Sequence, residues 1–275
     1  MGRIDARFAE LKAKDRAGFV AYVMAGDPDA ATSLAILQGL PAAGADVIEV
    51  GFPFSDPMAE GPPIQRASQR AMKAGMTLVG TLELIRAFRE GDRATPIILM
   101  GYLNPLLTHG LERFAEDAAS AGVDGMIVVD CPPEEADPLA DALDAHGLAL
   151  IRLATPTTDD ARLAVVVRRT SGFVYYVSVA GVTGVKEANA AVVAPAVERV
   201  RRASGLPVAV GFGIRTPDQA AAVAKVADAA VVGSAFVDEI AAALERNQSP
   251  TANVLATARA LAQAVHQARV MKASV

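Results

Sequence analysis

The sequence predicts a (β/α)8 barrel. Short, continuously apolar segments alternate with Ala-rich segments of helical spacing, and glycine recurs where a helix hands over to the next strand. Continuous hydrophobicity, rather than alternation, marks parallel strands buried on both faces. Strands are expected over 18–24, 46–50, 96–100, 125–129, 148–153, 173–177, 207–210 and 229–232. Helices are expected over 30–43, 111–121, 134–146, 159–169, 194–203 and 217–224. An extra amphipathic helix over 3–14 precedes the first strand, and a long one over 251–271 follows the eighth. The joints Ala43-Gly44-Ala45-Asp46, Ala121-Gly122-Val123-Asp124 and His146-Gly147-Leu148 each place Gly where a left-handed residue ends a helix. An open doubly wound sheet is the competing architecture, but no Gly-x-Gly-x-x-Gly follows the first strand. With no linker or low-complexity stretch, residues 1–275 read as one domain.

Composition narrows the function. Hydrophobic residues make up 52% of the 275, which excludes disorder. Lys and Arg number 26 against 31 Asp and Glu, a net charge of −5, so bulk charge recruits neither nucleic acid nor an anionic membrane. The single cysteine, Cys131, excludes a disulfide framework and a multi-thiolate metal site. His109, His146 and His266 lack ligand spacing, so no metal is expected. The N-terminus has no signal-like apolar stretch, and no apolar run reaches the roughly 18 residues of a membrane span. The expectation is a soluble, cytoplasmic protein.

In such barrels the chemistry sits on loops leaving the C-terminal strand ends. Glu49 lies inside the apolar second strand, where an ionised carboxylate is costly. It is either paired to a structural partner or a general acid/base with a raised pKa, and its place at the barrel mouth favours the second reading. Glu60 follows on a loop stiffened by Pro53, Pro57, Pro62 and Pro63, which can fold it back over the mouth. Asp56 reads as a turn former before Pro57. Asp27-Pro28 reads as a helix-start signal, and Cys131 as an inert thiol. The loops Ser178 to Lys186, Gly211-Phe212-Gly213-Ile214-Arg215-Thr216-Pro217 and Gly233-Ser234-Ala235 are Gly-rich and lie on neighbouring strands. Glycines let backbone N–H groups approach an anion, and the short helix opening at Ser234 adds a positive terminus, so a phosphate site is expected there. An acidic protein would thus hold phosphate with backbone dipoles.

Six runs carry a family resemblance: Glu49-Val50-Gly51-Phe52-Pro53-Phe54-Ser55-Asp56-Pro57, Gly101-Tyr102-Leu103-Asn104-Pro105, Val129-Asp130-Cys131-Pro132-Pro133-Glu134-Glu135, Ala180-Gly181-Val182-Thr183-Gly184, Gly211-Phe212-Gly213-Ile214 and Val232-Gly233-Ser234-Ala235. Across nearly its whole length the chain resembles the alpha subunit of tryptophan synthase. The resemblance implies a lyase of tryptophan biosynthesis that cleaves indole-3-glycerol phosphate to indole and glyceraldehyde 3-phosphate by a retro-aldol step, with no cofactor in this subunit. It matches Glu49 to the general acid/base, and Glu60 to a second carboxylate that accepts the indole N–H. It places Tyr22 at the border of the indole pocket, Tyr175 beside Glu49, Phe212 on a pocket wall and Gly184, Gly213, Gly233 and Ser234 at the phosphate, and makes Thr183 part of a closing loop that orients Glu49. It also implies a pyridoxal-phosphate-dependent beta subunit as partner in an α2β2 heterotetramer, docked on loops bearing Pro53, Asp56, Pro57, Asn104 and Pro132.

The chain departs from the family's pattern at Glu60, where the family has Asp, at Tyr22, commonly Phe, and at Pro63, where Thr is expected. A carboxylate displaced by about 1 Å can cost on the order of 10²-fold in rate, so the expectation is a slower or differently tuned lyase unless the loop adjusts. Two alternatives remain. One is a chiefly regulatory alpha subunit weakened by Glu60. The other is a different phosphate-binding barrel, such as an isomerase of a phosphoribosylated amine, which leaves the Pro-Phe-Ser-Asp-Pro loop unexplained.

Overall fold

Each expected strand is present, within one residue at either end. They are β1 (Gly18–Met24), β2 (Val47–Gly51), β3 (Ile97–Gly101), β4 (Gly125–Val128), β5 (Ala149–Ala154), β6 (Val174–Val177), β7 (Val208–Gly211) and β8 (Ala229–Val232). All pair in parallel and in sequence order, and β8 returns to β1 to close the barrel. The computed structural model of the chain describes residues 2–178, 190–211 and 213–269.

Helices fill the connections. They run α1 (Arg3–Ala13), α2 (Ala30–Gly39), α3 (Pro62–Lys73), α4 (Leu78–Gly91), α5 (Leu103–His109), α6 (Leu111–Ala121), α7 (Asp137–Ala145), α8 (Asp160–Val167), α9 (Ala190–Ser204), α10 (Pro217–Ala224), α11 (Ser234–Glu245) and α12 (Thr251–Gln267). The sequence reading missed α3, α4 and α5. Pro62-Pro63 reads as a loop, yet both prolines sit in the first turn of α3, where a missing N–H costs nothing. Helix α2 stops at Gly39 rather than reaching residue 43, because Pro41 cannot continue it. Its N-cap is Asp29, whose carboxylate accepts the Thr32 N–H at 2.8 Å. Asp27 does not start the helix: it is buried and takes two hydrogen bonds from Arg70 of α3, at 2.7 and 2.8 Å. The helix opening at Ser234 is twelve residues long, not short. All three expected glycines have positive φ: Gly122 and Gly147 close α6 and α7 as expected, whereas Gly44 closes the turn that follows the shortened α2.

The N-terminal end of the barrel is closed by α1, whose Ile4, Phe8 and Leu11 are buried and whose Phe8 ring lies 5.4 Å from that of Phe173. Beneath it, four strand pairs share one device. Asp46 exchanges two hydrogen bonds with Phe19: its carboxylate accepts the Phe19 N–H (2.9 Å) while its own N–H donates to the Phe19 carbonyl (2.9 Å). Asp124 does the same with Ile97, Ser171 with Leu150 through its hydroxyl, and Asp228 with Val208. Each clasp ties the start of an even strand to the odd strand before it and satisfies a strand-end donor that would otherwise be left unpaired. Arginines complete the three acidic clasps: Arg16 on Asp46, Arg3 and Arg89 on Asp124, Arg201 on Asp228.

Candidate active site

At the opposite end, the C-terminal strand ends surround a cavity lined by Tyr22, Glu49, Glu60, Tyr175, Gly213, Gly233 and Ser234. Glu49 is placed there by β2, and the β1–β2 register sets it beside Tyr22. It is 1% exposed, and its Oε2 has no hydrogen-bond partner. Burial, reinforced by the nearby Glu60, pushes its pKa up to about 8. Burial alone pushes that of Glu60 up to about 7. Neither carboxyl forms an ion pair among the described residues. Two acids are therefore held where one carries a proton near neutrality while the other ionises.

Glu60 reaches this position because its loop is anchored. Tyr102, just beyond β3, accepts the Ala59 N–H at 3.0 Å and stacks on Phe54 at 5.1 Å. Gln65 donates to the Glu60 carbonyl at 2.9 Å, and the Ser68 hydroxyl both accepts from the Phe54 N–H and donates to its carbonyl. The longer side chain thus stays in the cavity rather than in solvent. Tyr22 and Tyr175 are buried and face both acids, which raises their pKa values well above the usual range and keeps both phenols protonated.

Glycines at the strand ends serve these aromatics as well as any anion. A Cβ on Gly51 would collide with the Tyr22 hydroxyl, and one on Gly211 with that of Tyr175. On Gly233 it would come within 2.9 Å of the Tyr22 ring. Gly213, at φ +81°, turns the chain after β7, and Ser234 opens α11 onto the same cavity. Thr183, Gly184 and Phe212 lie outside the described residues.

Sequence reasoning missed Tyr102, Ile64 and Met100, of which the last two line the cavity. Ile64, Ala67, Ser68 and Ala71 form the buried face of α3, a helical period hidden behind Pro62-Pro63. Of the expected docking residues, Asp56, Asn104 and Pro132 are exposed, whereas Pro53 is buried. Cys131 is buried, which raises its thiol pKa, in keeping with an unreactive side chain. Among the described residues no group of three or more His, Cys, Asp or Glu is arranged to hold a metal, and no helix is long and apolar enough to cross a membrane.

Comparison with known proteins agrees with this geometry. The family model for the tryptophan synthase alpha chain matches residues 8–266. The tryptophan synthase alpha chain of Caulobacter vibrioides is 77% identical over 268 residues, 98% of each chain. That of Phenylobacterium zucineum is 75% identical over 267 residues, 97% of this chain and 96% of its relative. The crystal structure of tryptophan synthase subunit alpha from Legionella pneumophila superposes with a TM-score of 0.90 at 41% identity, covering 96% of this chain and 98% of that one. The chain belongs to the tryptophan synthase alpha chain family.

Proposed function

We propose that the mouth of this alpha chain cleaves indole-3-glycerol phosphate with Glu49 as general acid/base and Glu60 as acceptor of the indole N–H. The observation that carries the assignment is the pair of buried, cation-free carboxyls facing one cavity. Cleavage requires a proton on indole C3, loss of the proton from the adjacent side-chain hydroxyl, and accommodation of positive charge on the ring. Glu49, protonated near neutral pH, donates to C3; as carboxylate it then takes the hydroxyl proton as the carbon–carbon bond breaks and the aldehyde forms. Ionised Glu60 receives the ring N–H and offsets the charge. Tyr22 and Tyr175 bound the indole. Gly213 and Gly233, with the N-terminus of α11 at Ser234, receive the phosphate, with Gly184, Phe212 and the closing residue Thr183 added on the strength of the family resemblance.

The step transfers protons only and needs no cofactor in this chain; pyridoxal phosphate belongs to the beta-subunit partner. Asp56, Pro57, Asn104 and Pro132 form the docking face, together with the exposed apolar side chains of Met58 (79%), on the loop after β2, and Leu107 (55%), on α5. We assign the complex as α2β2 and the compartment as cytoplasmic. Indole release from indole-3-glycerol phosphate by the purified chain, alone and with a beta subunit, tests the whole reading. Release by the native chain supports it, while a chain that releases no indole in either setting but still activates the beta subunit is a regulatory one.

A further inference from the structure

Arg152 on β5 is the one fully buried arginine among the described residues. It is 4% exposed, its Nη1 donates to the Cys131 carbonyl at 3.1 Å, and its Nη2 is buried without a hydrogen-bond partner. No carboxylate among the described residues pairs with it, whereas Arg70 meets Asp27 and Arg89 meets Asp124. A guanidinium taken out of water without a counter-ion is strongly disfavoured. The Cys131 thiol beside it is kept protonated by burial and supplies no charge.

Arg152 lines an open cleft between the C-terminal ends of β4 and β5 and helix α8. The cleft also carries the hydroxyls of Thr155 and Thr158, which bond one another at 3.1 Å and keep further donor or acceptor capacity, and a second guanidinium, Arg162, which is paired with Glu134. Asp130, the one carboxylate on its wall, accepts the Leu103 N–H at 2.8 Å and makes no ion pair with Arg152 among the described residues. A buried cation with an unbonded N–H group and no ion pair of its own, beside two hydroxyls and with the Glu134 carboxylate taken by Arg162, suits a bound oxyanion.

We propose that this cleft is a second anion site, separate from the catalytic cavity, in which Arg152 binds a small carboxylate or phosphate with help from Thr155 and Thr158. The test is a pair of NMR titrations of the native chain, with inorganic phosphate and with acetate, ionic strength being held constant with chloride. Amide resonances of Cys131, Thr155 and Thr158 should shift along a saturating curve, and the tighter anion identifies the ligand class. Gly213 and Ser234 report the catalytic mouth separately. Arg152→Met should abolish the first set of shifts and leave the second, and Thr158→Val, which lies outside β5 but removes the acceptor of the Thr155 N–H, should weaken the binding several-fold, whereas Thr158→Ser, which keeps that acceptor, should preserve it. Native resonances that saturate with neither anion overturn the proposal whatever the variants do. So does saturation that survives Arg152→Met, or an affinity unchanged by Thr158→Val.

Discussion

At the N-terminal end of the barrel Asp46 and Asp124 each meet a strand N–H and at least one arginine, while at the mouth Glu49 and Glu60 are equally hidden from solvent and meet no cation. Asp46 and Glu49 therefore titrate in opposite directions. Burial works against ionised Asp46, but His266, the Phe19 N–H and Arg16 outweigh it and hold the carboxyl below its ordinary value. Glu49 has no such support and rises to about 8. A depressed carboxyl adds stability that is present above its unfolded pKa and lost as pH falls through the folded one. A raised carboxyl does the reverse: its contribution is intact in acid and lost as pH climbs, for Glu49 toward about 8. One end of the barrel is built to stay folded and the other to keep a proton available, and the barrel tolerates the second because of the first.

The sharpest way to break this contrast is Glu49→Gln. Activity should fall by about 10²–10⁴-fold, the usual worth of a positioned acid/base. Stability should nevertheless rise at pH 9, by on the order of a few kcal/mol, because the amide never has to ionise in the cavity. Urea midpoints at pH 6 and pH 9 check the sign; a variant that tracks the native chain at both would mean Glu49 is not held protonated. Asp124→Ala should do the opposite. Losing the clasp on Ile97 and stranding Arg89 should cost about 3 kcal/mol, with kcat/KM per folded molecule unchanged. A rate that falls with the stability would show that the two ends are coupled.

A smaller effect comes from the two mouth acids acting as a pair. With Glu60 raised to about 7 and Glu49 to about 8, kcat/KM should follow a narrow bell whose acid limb belongs to ionisation and whose basic limb to loss of the shared proton. Glu60→Gln should flatten the acid limb. Glu60→Asp should lower the rate by about tenfold, since the anchored loop is fitted to the longer side chain and the shorter one withdraws from the cavity. An Asp variant faster than the native chain would show that Glu60 itself is the weakness of this site.

The difference between the two ends also explains what the sequence disclosed. The strands were legible because burial on both faces leaves an unbroken apolar run, and Glu49 because it interrupts one. Helix α3 was hidden by Pro62-Pro63, which signal a loop and a helix start alike until the preceding turn is known. The four clasps were not legible, since a carboxylate before a strand carries no mark of the N–H it will meet across the barrel. Gly211 and Gly233 were read for what could approach their backbone, an anion; their second duty, making room for Tyr175 and Tyr22, depends on neighbouring strands and is invisible in one dimension. The role of Tyr102 is likewise hidden in its motif, because its hydroxyl works on residue 59, 43 positions away.

Tyr102 gives the smallest of these effects and the finest test of the comparison. Tyr102→Phe keeps the stacking on Phe54 but removes the acceptor of the Ala59 N–H, a loss of about 1 kcal/mol if the amide is not rehydrated. Were the hydroxyl a structural tie like the Asp clasps, that cost would show in the urea midpoint and leave the kinetics alone. Its place beside Glu60 argues otherwise: a looser loop lets the carboxyl wander, so KM should rise a few-fold and the acid limb should shift toward the pKa of a solvated glutamate, while the midpoint barely moves. A displaced midpoint with an unchanged pH profile would assign Tyr102 to the scaffold, and the boundary between the stable and the reactive ends would then run through the mouth itself.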